Sequence, residues 1–544
     1  MRRIISLLFW LLCASAVAAG STKPDRHVVV IVWDGMRPDF VSEQNTPTLW
    51  KLARKGVTFR NHHAVYPSAT MVNGAAMVTG VYPGRSGIIA NHMYRPDIDP
   101  HHAIDVEIPA VVRKGDELFR AKYISVPTIA ELVQRAGGRT AVAAAKTVGL
   151  LLDRSVGHAS GLPFADNASS PRRIRPVADG TLALPSQVRA KTSVTLFAGQ
   201  SLPSGALAPI TAAVGTFPPG HLQQDTWTTK ALTDSLWRDG VPAFSILWLG
   251  EPDLTQHQSA PGASAALAAI KAADKNLATV LAALDRRKAR GTTDIFVVSD
   301  HGFSTIQRSI DLPKILNDSG FAAKTEFIDQ PKLGDIMLAG NGGSVLFYAI
   351  GHDEALTRRL VEFLQQSDFA GVIFTRNALP GTFDLNQAKM NPPESIDAPD
   401  VVMSFRWSDA KNQFGVQGMI DADWQRAAGK GTHATLSRFD MHNTLIAAGP
   451  HFRRGELNVL PTGNADLAPT ILRVLGIATA KEFDGRILSE AIKDSSITQP
   501  NAESTTIGAT KDFPGGTWRQ SLQISRVGST IYLDEGNGSL VPKR

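Results

Sequence analysis

Cysteine is almost absent. The 544 residues contain one, Cys13. Beyond residue 20 the chain can therefore build no disulfide, no thiolate metal site and no cysteine nucleophile. Long apolar runs are missing too. Ile4 to Leu12 is apolar but too short to span a bilayer, and it lies between Arg2-Arg3 and Ala16-Val17-Ala18. That order predicts a cleavable export leader over residues 1–19, with small-x-small cleavage just before Ala19. Leu12 is not the small residue that precedes an acylated cysteine. Export without disulfides suits a periplasmic or secreted protein with no membrane span once mature. Charge of one sign is scarce: the net value is +6, or +4 without Arg2 and Arg3. The arginine-rich run from Arg172 to Arg175 reads as a solvated loop, so no nucleic-acid-binding face is expected. No internal repeat or heptad run occurs. The tryptophans show no spacing suited to a carbohydrate platform.

What remains is ordinary globular material, 43% apolar and 19% charged. Short apolar runs alternate with helical periods. His27 to Trp33, Thr140 to Ala145, Ala243 to Leu249, Asp294 to Ser299 and Leu445 to Ala448 read as strands. Helices are predicted from Thr46-Pro47 through Leu52 and ended by Gly56, from Thr128 to Ala136, from Ala263 to Arg290 with Ser264 as cap, and after Asp466. The alternation predicts an α/β fold: a doubly wound, mostly parallel central sheet flanked by helices, with a smaller inserted cap. The main domain is expected over 20–490, with insertions near 160–225 and 310–415. Residues 491–544 form a C-terminal extension, where alternation from Trp518 to Leu533 suggests a hairpin.

In such a sheet, ligands bind beyond the carboxyl ends of the strands. The polar residues gather there. Asp34 follows HVVVIVW, Thr70 sits in YPSATMVNG, and Asp253 and His257 follow SILWL. Asp300 and His301 follow DIFVV, and His433 sits in GKGTHAT. Singly, each has a bland explanation as a helix cap or a turn. Together they offer three carboxylates, three imidazoles and a hydroxyl. Oxygen and nitrogen donors without thiolate suit zinc among other borderline metals. Two metals a few ångströms apart can bind both the attacking and the leaving oxygen of a phosphoryl displacement.

The motifs VVIVWDGMRPD, NTPTLWKLARKGVTFRNHHAVYPSATMVNGAAMVTGVYPGRSGIIANHMY, EPDLTQH, VVSDHG and GTHA, in this order, resemble the nucleotide pyrophosphatase/phosphodiesterase branch of the alkaline phosphatase superfamily. The resemblance is close over 27 to about 150 and 228–303, and looser over 430–490. It implies an alkaline phosphatase-like fold and a small-molecule phosphate ester as substrate. It implies two zinc ions per chain, one held by Asp34, Asp300 and His301 and also binding the Thr70 oxygen, the other by Asp253, His257 and His433. Thr70 would attack phosphorus and form a phospho-threonine, which water activated by the second zinc would hydrolyse. Asn91 in GIIANHM would donate its amide to a phosphoryl oxygen, helped by the Thr70 backbone N–H. The chain departs from the family at Met71, where an aromatic commonly stacks on a nucleobase, and at Val72 and Gly74 around Asn73. Lys146 resembles the lysine that phosphonoacetate hydrolase and certain monoesterase relatives point at substrate, but their second basic residue is here Val148. A phosphonate hydrolase or phosphomonoesterase is thus the alternative, and a non-enzymatic binding protein on this scaffold the second. A sulfatase is disfavoured, because Ser68-Ala69-Thr70-Met71-Val72 lacks the arginine of its motif. His62 and His63 read as packing residues.

Overall fold

The computed structural model describes residues 26–119, 123–155, 193–394, 396–494 and 500–543. The expected leader, the run from Arg172 to Arg175 and residues 160–192 of the first insertion lie outside them.

A nine-stranded sheet forms the centre. Its order is Glu456–Asn458, Val57–Phe59, Leu445–Ala448, Thr293–Val298, His27–Trp33, Phe244–Leu249, Thr140–Ala144, Val194–Phe197 and Gln200–Leu202. The five strands from Thr293–Val298 to Val194–Phe197 run parallel. Leu445–Ala448 lies antiparallel between Thr293–Val298 and Val57–Phe59, and Gln200–Leu202 is an antiparallel edge. Along His27–Trp33, Val28, Val30 and Val32 enter one core layer while Val29, Ile31 and Trp33 enter the other. Ile270 and Leu277 of the helix Ser264–Arg286 cover the second face. Helices Thr70–Thr79 and Leu467–Leu475 cover the first. Burial on both faces is why this strand reads as an unbroken apolar run.

Local chemistry refines several boundaries. The long helix starts at Ser264, with Ala263 rather than Ser264 as its cap, and ends at Arg286 before Lys288 takes a left-handed φ of 55°. Thr128 and Glu131 form a reciprocal capping box on Ile129–Arg135. Gly56 does not cap its helix. A Cβ there would lie 2.2 Å from the Ala447 carbonyl, so this glycine lets two backbones meet. The Pro- and Gly-rich segment expected to be loops and short strands holds helices Leu207–Val214 and His221–Lys230 as well.

The second insertion builds a six-stranded sheet in the order Ala322–Lys324, Asp335–Gly340, Ser344–Ala349, Val401–Phe405, Ala370–Thr375, Phe383–Asp384. A four-stranded sheet, containing Ser304–Ser309 and Gly431–Thr432, links it back to the main domain. The C-terminal segment is a three-stranded antiparallel meander, Ala502–Phe513, Gly516–Val527 and Thr530–Pro542, rather than a hairpin. It is docked. Trp518 is buried in the core of the inserted sheet, and the Gln520 amide bonds both the N–H and the C=O of Ile373. Asp534 pairs with His63 at 2.8 Å, and the Tyr532 hydroxyl donates to Asp466 at 2.8 Å. No helix among the described residues is long and apolar enough to cross a membrane.

Candidate metal centre

Four neighbouring parallel strands deliver the site. Asp34 follows His27–Trp33, Lys146 follows Thr140–Ala144, Asp253 follows Phe244–Leu249 and Asp300 follows Thr293–Val298. All four stand at carboxyl ends, where loops and helix starts leave side chains free to converge. Thr70 opens the helix Thr70–Thr79, which leans over the same strand ends. Its place at the first helical position aims free backbone N–H groups and the positive end of the helix at the site. His433 arrives from the far side, just beyond Gly431–Thr432, with Ala434 after it at a φ of 81°.

The three imidazoles are prepared alike. Nδ1 of His301 lies 2.9 Å from the Gly302 carbonyl, Nδ1 of His257 3.0 Å from Gly431 O, and Nδ1 of His433 2.8 Å from Ser68 O. A carbonyl only accepts, so each Nδ1 carries the proton and each Nε2 presents a lone pair. Those lone pairs face carboxylate oxygens. His301 Nε2 is 3.3 Å from Asp300 Oδ2 and 3.6 Å from Asp34 Oδ1. His257 Nε2 and His433 Nε2 lie 3.2 and 3.5 Å from Asp253 Oδ1. Asp253 Oδ1 and Asp300 Oδ2 are buried and receive no hydrogen bond. Lone pairs set against anionic oxygens in a buried space repel unless a cation sits between them. The donor set therefore fits two cations, one at each orphaned oxygen. The tightest groups are Asp34, Asp300 and His301, and Asp253, His301 and His433. His301 stacks on His433 with ring centroids 3.7 Å apart, which brings it toward Asp253 as well. His257 lies outside that tightest cluster but within 3.2 Å of Asp253.

Burial sets the protonation. It pushes the Asp300 carboxyl up to about 6, and burial together with Asp300 holds Asp34 well above the usual range. Burial acts to raise Asp253 too, but Lys146 and then His257 outweigh it and hold that carboxyl well below. Burial, then His301, keeps His433 neutral. A proton and a metal compete for the same oxygens, so metal uptake must expel protons from the first group. Metal affinity should weaken as pH falls through about 6. Metal content measured after dialysis at about pH 8 and about pH 5 should drop at the lower value. Equal content at both overturns this expectation.

Thr70 Oγ1 lies 3.3 Å from His301 Nε2, 3.5 Å from Asp34 Oδ1 and 3.5 Å from Lys146 Nζ. Lys146 reaches across the centre, with Nζ 3.0 Å from Asp34 Oδ2 and 3.1 Å from Asp253 Oδ2. Asn91 Oδ1 accepts from the Met71 N–H at 3.0 Å. All nine residues singled out in the sequence thus converge on one place.

Others were not anticipated. The Trp248 indole donates to Asp34 Oδ2 at 2.8 Å, and Asn91 Nδ2 donates to Glu107 at 2.9 Å. Asn464 Nδ2 donates to the Asp300 carbonyl and to Asn73 Oδ1, and the Asn73 amide holds the carbonyls of Val65, Pro67 and Ala69 ahead of Thr70. The alternation in SILWLG could have flagged Trp248. The asparagines carry no local signal. Gly35 is required for a spatial reason. Its φ is +70°, and a Cβ would sit 2.9 Å from Phe303 and 3.1 Å from Asp253. Gly35→Ala should cost about 1–3 kcal/mol of stability, read by denaturant unfolding, and should lower metal content by displacing Asp253. Unchanged unfolding would contradict this.

The family model described as type I phosphodiesterase / nucleotide pyrophosphatase matches residues 28–408. The chain belongs to this family. The match takes in all nine of the converging residues except His433, which lies past its end together with Asn464. Among curated members of the type I phosphodiesterase / nucleotide pyrophosphatase kind, bis(5'-adenosyl)-triphosphatase enpp4 of Xenopus laevis is 20% identical over 87% of this chain and 83% of its own. The mouse ectonucleotide pyrophosphatase/phosphodiesterase family member 3 is 21% identical over 54% of this chain and 26% of its own. Mouse enpp4 is 29% identical over 17% of this chain and 21% of its own. The chain thus spans about a quarter or less of these two mouse relatives. The solved murine ectonucleotide pyrophosphatase/phosphodiesterase 5 shares the fold, with a TM-score of 0.54 and 18% identity, covering 86% of this chain and 100% of that one. An inactive form of that protein was solved in complex with AMP.

Proposed function

We propose that the protein is an exported, zinc-dependent hydrolase of phosphodiester or pyrophosphate bonds that works through a phospho-threonine. The observation that carries this reading is the placement of Thr70 Oγ1, at a helix start and within 3.5 Å of Asp34, His301 and Lys146. One cation would be held by Asp34, Asp300 and His301, the other by Asp253, His257 and His433. Two such dications supply Lewis-acid polarisation and charge neutralisation at the phosphoryl group. The Thr70 hydroxyl gives its proton to water and its oxygen attacks phosphorus; the bond to the leaving oxygen breaks as the bond to Thr70 forms, and the leaving oxygen takes up a proton from water. Asn91 and the backbone N–H groups at the start of the helix hold a non-bridging oxygen as charge gathers there. Water then cleaves the phospho-threonine and restores the hydroxyl.

Met71 is 1% exposed, so it offers no surface for a nucleobase. Little advantage for nucleotides over simple diesters is expected. Lys146 beside the nucleophile favours the alternative, a phosphomonoesterase or phosphonate hydrolase, because an ammonium rewards an extra negative charge. A side-by-side assay of bis-nitrophenyl phosphate, nitrophenyl phosphate and phosphonoacetate decides between them. Higher kcat/KM on the diester supports the proposal. Preference for the monoester or the phosphonate, erased by Lys146→Ala, replaces it with the alternative.

A further inference from the structure

We infer that Glu107 is a charge selector at the phosphoryl site: it disfavours dianionic phosphate monoesters and so sharpens the choice of monoanionic diesters. This rests on the phosphoryl-transfer reading above and adds a specificity residue to it.

Glu107 lies in the turn between the strand Ala103–Asp105 and the helix Pro109–Leu118, where its backbone N–H donates to Asp105 Oδ1 at 2.8 Å. Its Oε1 accepts from Asn91 Nδ2 at 2.9 Å. The other end of the Asn91 amide accepts from the N–H of Met71, next to the nucleophile. A planar amide held at both ends has a fixed plane. Of its two N–H groups one goes to Glu107, and the other remains for a substrate oxygen. Two acceptors on one amide nitrogen lie about 5 Å apart. A phosphoryl oxygen bound by Asn91 therefore sits that close to a carboxylate.

Apart from the two cations of that reading and the carboxylates that would hold them, few charges stand near that oxygen. Lys146 is the ammonium beside Thr70. Two residues further on, Val148 is fully buried and packs on Gly74 of the nucleophile helix, so it brings no charge. Beyond the metal donors, one ammonium and one carboxylate thus flank the phosphoryl position, and their effects oppose. A diester carries one negative charge, and a monoester carries close to two near neutral pH. Repulsion by Glu107 scales with that charge.

The hydrogen bond alone does not need a carboxylate, since a glutamine carbonyl accepts it equally well. Charge and orientation can therefore be separated. Glu107→Gln keeps the acceptor and removes the charge. The ratio of kcat/KM on nitrophenyl phosphate to that on bis-nitrophenyl phosphate should rise about tenfold, some 1.4 kcal/mol. Inorganic phosphate should become a tighter competitive inhibitor by a similar factor. Glu107→Ala removes the acceptor too and should lower kcat on both substrates. A ratio in Glu107→Gln that stays unchanged, or that moves toward the diester, overturns the inference. The native protein separates the two claims: if it fails to hydrolyse the diester, the reading of the site falls, whereas an unchanged ratio with diesterase activity intact removes only the selector.

Discussion

Thr70→Ala should lower kcat by about three orders of magnitude or more while leaving the metal in place. The reason lies in how the site is divided. In the proposed reading the metal donors are carboxylates and imidazoles on other elements, and the hydroxyl is the group that attacks. Alanine is the best helix former and suits the first turn of the helix, so the fold should tolerate the change. Thr70→Ser keeps an oxygen and should retain part of the rate. Rapid quenching with a labelled diester should trap phosphate on the native chain and none on Thr70→Ala. A covalent phospho-enzyme formed by the alanine variant removes Thr70 from the mechanism. Wild-type turnover in that variant does the same.

The next largest effect is expected at Asp253. One of its oxygens faces the Nε2 atoms of His257 and His433, and the other holds Lys146. Asp253→Ala removes the carboxylate shared by both imidazoles. Elemental analysis should show about two zinc equivalents in the native protein and about one in the variant, with activity lower by about two orders of magnitude or more. Chelation should abolish turnover in the native protein, and added zinc should restore it. Full activity in a thoroughly metal-free sample overturns metal dependence altogether. Unchanged zinc content in Asp253→Ala overturns the assignment of this ligand.

Legibility followed the range of the interactions. Strands buried on both faces announced themselves as apolar runs, and the residues just past them were readable because the polypeptide itself places them at the sheet's edge. Asp34, Asp253 and Asp300 are of this kind. His433 stands beyond a two-residue strand that has no such signature, and only the resemblance in GTHA pointed to it. Glu107 was invisible because its role depends on the side chain of Asn91, 16 residues away and on the far side of a turn. Asn464 reaches Asn73 over 391 residues. Helices Leu207–Val214 and His221–Lys230 were hidden by the prolines and glycines around them, which read as breakers although they fall at the helix starts and ends. Val148 was noted as a missing cation. In the structure it is a packing residue behind the helix Thr70–Thr79, so a charge at that position would be buried in the core.

The pairing of Asp534 with His63, and of Tyr532 with Asp466, bears on how the molecule comes into being. Asp34 and His433 leave the ribosome about 400 residues apart, which at ~5–20 residues per second is a delay of roughly 20–80 seconds. During that interval Val57–Phe59 lacks both of its sheet neighbours, Leu445–Ala448 and Glu456–Asn458. The segment around His63, just before Thr70, waits longer still for Asp534. Contacts of this sequence span make for slow folding. The arrangement around Thr70 is therefore a property of the finished chain: both His433 and the strand Thr530–Pro542 must be in place before it is complete.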